Sequence, residues 1–140
     1  NQEVEIKIDS NKKCIANFLK GSIPDLVGEW LDGKISKRIS GIKVFEGIFR
    51  IGNVGTADCT DEFKISFYLS NDGKSLDSLL KTSTITSQIK LGEYKDSLFS
   101  YYFASYVSLS GKYIIAVIDL DNQVKERDQT NNRFIFGPFE

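Results

Sequence analysis

Phe63-Lys64-Ile65-Ser66-Phe67-Tyr68-Leu69-Ser70 is the stretch that decides the fold. Its apolar residues fall on every second position. Phe63, Ile65, Phe67 and Leu69 share one face; Lys64, Ser66, Tyr68 and Ser70 share the other. Successive side chains of a strand point to opposite faces, so this is a half-buried β-strand. The same period recurs on either side. Ile42 to Ile51 turns Phe45, Phe49 and Ile51 inward. Leu26 to Leu31, after Pro24, reads as the first strand of the body. Leu98 to Leu109 is rich in aromatic and β-branched residues and suits another strand. There Phe99, Tyr101 and Phe103 share the inner face, while Tyr102 and Tyr106 fall on the opposite one. Lys112 to Leu120 is nearly continuous in apolar residues and suits a central strand. Arg133 to Phe136 is the last strand, ahead of Pro138, which cannot donate to a ladder. A weaker strand is expected within Thr84 to Ile89. Ser75 to Leu80 is ambiguous and compatible with a short helical turn.

Gly52-Asn53-Val54-Gly55, Asn71-Asp72-Gly73 and Ser110-Gly111 separate these runs. Gly and Asn tolerate the positive φ of tight reversals. Short strands with regular punctuation predict an all-β antiparallel sandwich or barrel. The first residues behave differently. Val4 to Ile8, a turn at Asp9 to Lys12, and Cys14 to Leu19 read as a small β-hairpin. Lys20 to Pro24 reads as a linker. The expected organisation is therefore a hairpin and linker over 1–21, then a sandwich over 22–140. An isolated hairpin is marginal in water, so the first 20 residues are expected to be mobile or docked.

A chain of 140 residues suits one domain with a short appendage. Lys and Arg number 18 against 19 Asp and Glu, a net charge of -1, which supplies no electrostatic reason for a nucleic-acid or anionic-membrane partner. No apolar run is long enough to span a bilayer. The opening at Asn1, without methionine, reads as a fragment or a processed form. Histidine is absent altogether. Ser-His-Asp and Cys-His nucleophiles, and zinc sites that use His, are thereby excluded. Carboxylate pairs remain for glycoside hydrolysis, but they need a cleft that a small sandwich seldom offers. A hydrolase would have to work through Glu126 or Asp121.

Several stretches in order resemble the CARDB family, the cell-adhesion-related domain of bacteria. They are Pro24-Asp25-Leu26-Val27; Ile51 to Ala57, similar to an Asn-x-Gly-Thr-Ala turn; Phe67 to Asp72; Tyr113 to Asp119 followed by Asp121 to Glu126; and Thr130-Asn131-Asn132. The resemblance spans residues 24–139. It implies a seven-stranded immunoglobulin-like sandwich in extracellular bacterial proteins, used as a spacer or adhesive unit and carrying no catalytic residues. Ile8 to Phe18 resembles the closing hairpin of an internalin-type surface repeat, which implies a preceding module.

Three groups of residues invite a sharper reading. Asp119, Asp121, Asn122 and Glu126, with Asp128, Asn131 and Asn132 beyond, supply the oxygen ligands that Ca²⁺ prefers. The segment lacks the EF-hand glycine and terminal Glu, and Lys125 and Arg127 interrupt it. The structural alternative is that its Asp and Asn side chains hold the loop's own backbone, with Asn131 and Asn132 pinning the last strand. Asn53 and Gly55 are read as structural loop residues in the same sense. Cys14 and Cys59 form a disulfide in an oxidising compartment if the hairpin folds back to within about 7 Å between Cα atoms. The family resemblance reads both as small buried hydrophobes instead. Trp30, and the aromatics from Phe99 to Tyr106, are read first as core, with sugar stacking as the rival. Val44 and Ile48 are candidate exposed contacts for a neighbour.

The expectation is a non-catalytic, extracellular structural or interaction module of a bacterial surface or secreted protein. It needs no cofactor and is expected to be a monomer. Its partners would be adjacent domains of the same chain, and an extracellular protein or glycan. The rival is a carbohydrate- or calcium-binding module.

Overall fold

The computed structural model describes residues 23–118 and 132–140. Seven strands occupy them: β1 (Leu26–Lys37), β2 (Lys43–Asn53), β3 (Phe63–Ser70), β4 (Ser78–Ile85), β5 (Tyr94–Phe103), β6 (Tyr113–Ile118) and β7 (Arg133–Phe136). They form two antiparallel sheets, ordered β1-β2-β5 and β4-β3-β6-β7. Of the sandwich and the barrel that the alternation leaves open, the sandwich, which the CARDB resemblance implies, is the observed fold. β4 lies beside β3. In a constant-type immunoglobulin domain the fourth strand joins the sheet of the first two instead. Among the described residues no helix is long and apolar enough to cross a membrane.

β3 buries Phe63, Ile65, Phe67 and Leu69, as its period requires. β6 is central to its sheet and buried from Ile114 to Ile118, matching its continuous apolar run. Ile114, Ala116 and Ile118 join the core, while Ile115 and Val117 are buried on the outer face between β3 and β7. Strand boundaries depart from the sequence expectation where the period breaks. β1 continues to Lys37 through a bulge: its register passes from Trp30↔Phe49 to Asp32↔Ile48, leaving Leu31 unopposed. The inward set therefore changes from even to odd positions, from Leu26 and Trp30 to Gly33 and Ile35. β4 begins at Ser78, so the stretch read as ambiguous starts a strand. Its register slips between Phe67↔Lys81 and Tyr68↔Leu79, which hides its alternation. Leu80 packs on the core and Leu79 is exposed. β5 runs from Tyr94 to Phe103, starting earlier and ending earlier than expected, because the chain turns where Val107 N donates to Ala104 O (3.0 Å).

The core is an aromatic cluster around Trp30. Its ring lies 5.1 to 6.3 Å, centroid to centroid, from Phe45, Phe49, Phe67, Phe99 and Phe136. Phe67 and Phe99 stack at 4.1 Å and 16°. Trp30 Nε1 donates to the carbonyl of Phe134 (3.0 Å), joining β1 of one sheet to β7 of the other. A Cβ on Gly47 would stand 2.9 Å from this ring, so β2 carries glycine where the indole passes. The half-buried indole thus packs against the core, as its first reading requires.

The β3–β4 turn is organised by Asp72. Its Oδ1 accepts from the backbone N of Ser75 (2.7 Å) and Lys74 (2.8 Å), and from Ser70 Oγ (3.2 Å). These bonds, those from the Ser75 and Lys74 backbone foremost, lower its pKa from 3.8 to about 2. A carboxylate with a depressed folded-state pKa stabilises the fold above its unfolded pKa and loses that effect as pH falls through the folded value. The gap in melting temperature between the native protein and Asp72→Asn should therefore narrow between about pH 4 and about pH 2. A gap constant over that window, measured by circular dichroism, would contradict this role.

Candidate functional site: the Asn53 node and the two ends of the sandwich

β2 ends on Asn53, which pairs with Leu26 at the start of β1. Asn53 is 0% exposed. A buried amide must use both its acceptor and its donors, and every polar atom of this one is engaged. Oδ1 accepts from Asp25 N (3.0 Å) and Gly55 N (3.0 Å). Nδ2 donates to the carbonyls of Ala57 (2.8 Å) and Ile89 (3.1 Å). Its own backbone N donates to Glu93 O (3.2 Å), and its O accepts from Gly92 N (2.8 Å). One residue thus joins the incoming chain, the β2–β3 turn and the β4–β5 connection. Asp would lack the donors.

The incoming chain continues to hold beyond this node. Val54 N donates to Asp25 O (2.9 Å), Thr56 N to Ile23 O (2.8 Å), and Ile23 N to Thr56 Oγ1 (3.0 Å). Residues 23–25 therefore lie against residues 53–56. A Cβ on Gly55 would sit 2.3 Å from Ile23 O and 2.5 Å from Asp25 N, both backbone atoms. Gly55→Ala should cost about 2 kcal/mol and speed hydrogen exchange at Asp25 more than in β3. Thermal denaturation with exchange mass spectrometry checks both, and equal protection throughout would count against a local clamp.

Two more contacts close this inlet end. Cys59 and Ile89 exchange backbone hydrogen bonds (2.9 Å each), and Asp58 accepts from Leu91 N (2.9 Å) and Gln88 Nε2 (3.2 Å). Sequence reasoning missed both, since the partners lie 30 or more positions apart. Their only local signal is the Ala-Asp-Cys that comes after the turn motif.

The opposite, outlet end carries the β1–β2 hairpin, the β5–β6 connection and the tail after β7. Phe139 N donates to Lys112 O (2.9 Å) and Phe139 O accepts from Gly111 N (2.7 Å). Lys43 Nζ donates to the carbonyls of Ser105 (3.1 Å) and Val107 (2.8 Å). An open groove here is lined by Lys34, Lys37, Lys43, Tyr106, Phe139 and Glu140, among others. The lining holds three lysines and one side-chain carboxylate, Glu140, so the described lining offers no pair of side-chain carboxylates for glycoside chemistry.

Of the residues expected to matter, Asn53 and Gly55 meet at one structural node. Asn132 is buried, and its carbonyl accepts from Ile118 N (2.9 Å) at the start of β7. Asp119, Asp121, Asn122, Glu126 and Asn131 lie outside the described residues, as do Cys14 and the hairpin over 1–21. Among the described residues no group of three or more His, Cys, Asp or Glu side chains is placed to hold a metal ion. Cys59 is buried in the core. Val44, expected to be exposed, is 1% exposed, because Ser36 and Tyr102 stand beside it in the sheet. Ile48 is half-buried opposite Leu98. The exposed apolar residues of that sheet include Leu98, Tyr94 and Tyr102, with Tyr106 exposed in the loop after β5.

The CARDB family profile matches residues 39–136. A crystal structure of a CARDB domain from Pyrococcus furiosus, in complex with di-metal ions, is similar at 21% identity and a TM-score of 0.61, covering 94% of this chain and 96% of that one. A solution NMR structure of a CARDB domain from the same organism is similar at 23% identity and a TM-score of 0.58, covering 82% of this chain and 93% of that one. A β-glucosidase from Kluyveromyces marxianus is similar over 80% of this chain but only 14% of its own, at 11% identity and a TM-score of 0.50. At these identities the structural likenesses speak for the fold alone. No curated protein matches the chain. The internalin-type resemblance of the first residues gains no support. It rested on eleven residues of a short hairpin, too few to specify a repeat.

Proposed function

Because the chain belongs to the CARDB family, a family of non-catalytic domains, we propose that it is a structural and interaction module that spaces or presents neighbouring domains outside the cell. The observation that carries this reading is the placement of its two fastened ends. The incoming chain is clamped at Asn53, and the outgoing chain at Gly111 and Lys112. β1 begins at the first end and approaches the outlet groove at Lys37. Its 12 residues span about 40 Å at the usual strand rise. A unit threaded end to end in this way adds its length between the neighbours on its two sides.

Pulling the protein between its two ends in a force spectrometer tests this. One abrupt rupture, weakened by Asn53→Ala, supports the spacer; gradual extension at low force sinks it. Surface biotinylation of intact cells carrying the parent protein tests the extracellular setting. There, a peptide map joining Cys14 to Cys59 would support the proposed disulfide.

A second reading, Ca²⁺ binding through Asp119, Asp121, Asn122 and Glu126, is favoured by the di-metal complex of the Pyrococcus furiosus domain. NMR shifts confined to residues 119–132 on adding about 1 mM Ca²⁺ would support it, and an unchanged spectrum would remove it.

A further inference from the structure

We propose that the outer edge of β5 pairs antiparallel with β5 of a second copy, centred on Leu98, joining two three-stranded sheets into one of six strands. This goes beyond the spacer reading and does not depend on it.

The two sheets present four edges among the described residues: β1, β5, β4 and β7. Natural sheets blunt their edges with bulges, short strands or charge. β1 is bulged at Leu31, and β7 has four residues. β4 is irregular in register and mostly Ser, Thr and Lys apart from Leu79, Leu80 and Ile85. β5 is different. It has ten residues in unbroken register with β2, and no proline. Its outer face carries Tyr94, Leu98 and Tyr102, which are 53%, 75% and 58% exposed.

The spacing of these residues selects the partner. Tyr94 and Tyr102 each stand four positions from Leu98. Directly opposed residues of an antiparallel pair point to the same face. A two-fold axis at Leu98 therefore sets Leu98 against Leu98 and each Tyr94 against the other copy's Tyr102. The charges fit the same register. Lys95 meets Tyr101 and Asp96 meets Ser100, so no like charges oppose one another.

Both tyrosines are held in place beforehand. Tyr94 lies on Gly52, where a Cβ would come within 2.4 Å of its ring. Arg50 stands 5.8 Å from that ring's centroid and is held by Asp96 through two bonds (2.7 and 3.1 Å). Arg38 lies 5.3 Å from the Tyr102 centroid and donates to its hydroxyl (3.3 Å). Rings already fixed lose little freedom on association. A single strand pair is smaller than a standard interface of about 800 Å² per partner, so the dimer is weak and concentration-dependent.

Sedimentation velocity of the full chain from about 10 µM to about 1 mM tests this. The mass should rise from 15.8 kDa toward twice that value. Leu98→Lys and Leu98→Glu, each alone, should stay at 15.8 kDa throughout, because like charges would meet on the axis. An equimolar mixture of the two should recover the dimer. A native chain that stays monomeric, or a Leu98→Lys variant that still associates, would overturn the proposal. So would a mixture that stays monomeric while the native chain dimerises. Leu98 is mostly exposed, so melting curves of both variants should overlay the native one and separate lost pairing from misfolding.

Discussion

Trp30→Ala should lower the unfolding free energy by about 5 kcal/mol, a large share of the whole for a domain of this size. Two losses combine. The indole touches five phenylalanine rings drawn from four strands across both sheets. Its removal leaves a cavity that those rings can only partly fill, since each is held by others, as Phe67 is by Phe99. The second loss is the hydrogen bond to Phe134 O, which ties the two sheets. Trp30→Phe separates the two, keeping an aromatic ring but no N–H donor, and should cost about 2 kcal/mol. Urea denaturation followed by far-ultraviolet circular dichroism measures both. A Trp30→Ala cost under about 2 kcal/mol would mean that the cluster around this ring does not hold the sheets together.

Asn53→Ala should cost about 4 kcal/mol. The side chain is wholly buried and makes four hydrogen bonds, to Asp25, Gly55, Ala57 and Ile89. Alanine strips the Asp25 and Gly55 amides and the Ala57 carbonyl of this partner where water has little access, while Ile89 O keeps its bond from Cys59 N, and each stripped group costs about 1 to 3 kcal/mol before the structure relaxes. For a chain of 140 residues the midpoint should fall by about 12 °C. Asn53→Asp is the informative companion. It keeps the acceptors for Asp25 N and Gly55 N but removes both donors and buries a charge, so it should be no milder than alanine. Amide exchange at Asp25 and Gly55 should rise in the alanine variant more than in the aspartate variant. If Asn53→Asp were neutral, the donors to Ala57 and Ile89 would contribute nothing, and the clamp would rest on the two acceptors alone.

Much of the fold is legible in the sequence wherever burial obeys a local rule. β3 alternates without interruption, β6 is apolar throughout, and β7 ends against Pro138; each lies close to where its residues predict it. β1 and β4 are truncated or displaced in a reading by period, because a bulge shifts the inward parity by one and the alternation that defines a strand is broken there. Asn53 and Gly55 can be marked as structural by their turn chemistry. Their partners cannot be named from it, because Asp25, Ala57 and Ile89 reach the node from three separate segments. Val44 departs from its expected exposure for a related reason: a strand's outer face can be covered by neighbours such as Tyr102, which one strand's periodicity does not report.

By itself the sequence determined that this is an all-β protein without an imidazole for chemistry. Composition and the two-residue period are properties of the chain that no neighbour can alter. Only the tertiary structure decided which sheet received β4, where the parity of β1 changes, and that one buried amide fastens the incoming chain. Those outcomes turn on hydrogen bonds and ring contacts between residues far apart along the chain, and their energies exist only after the sheets have met.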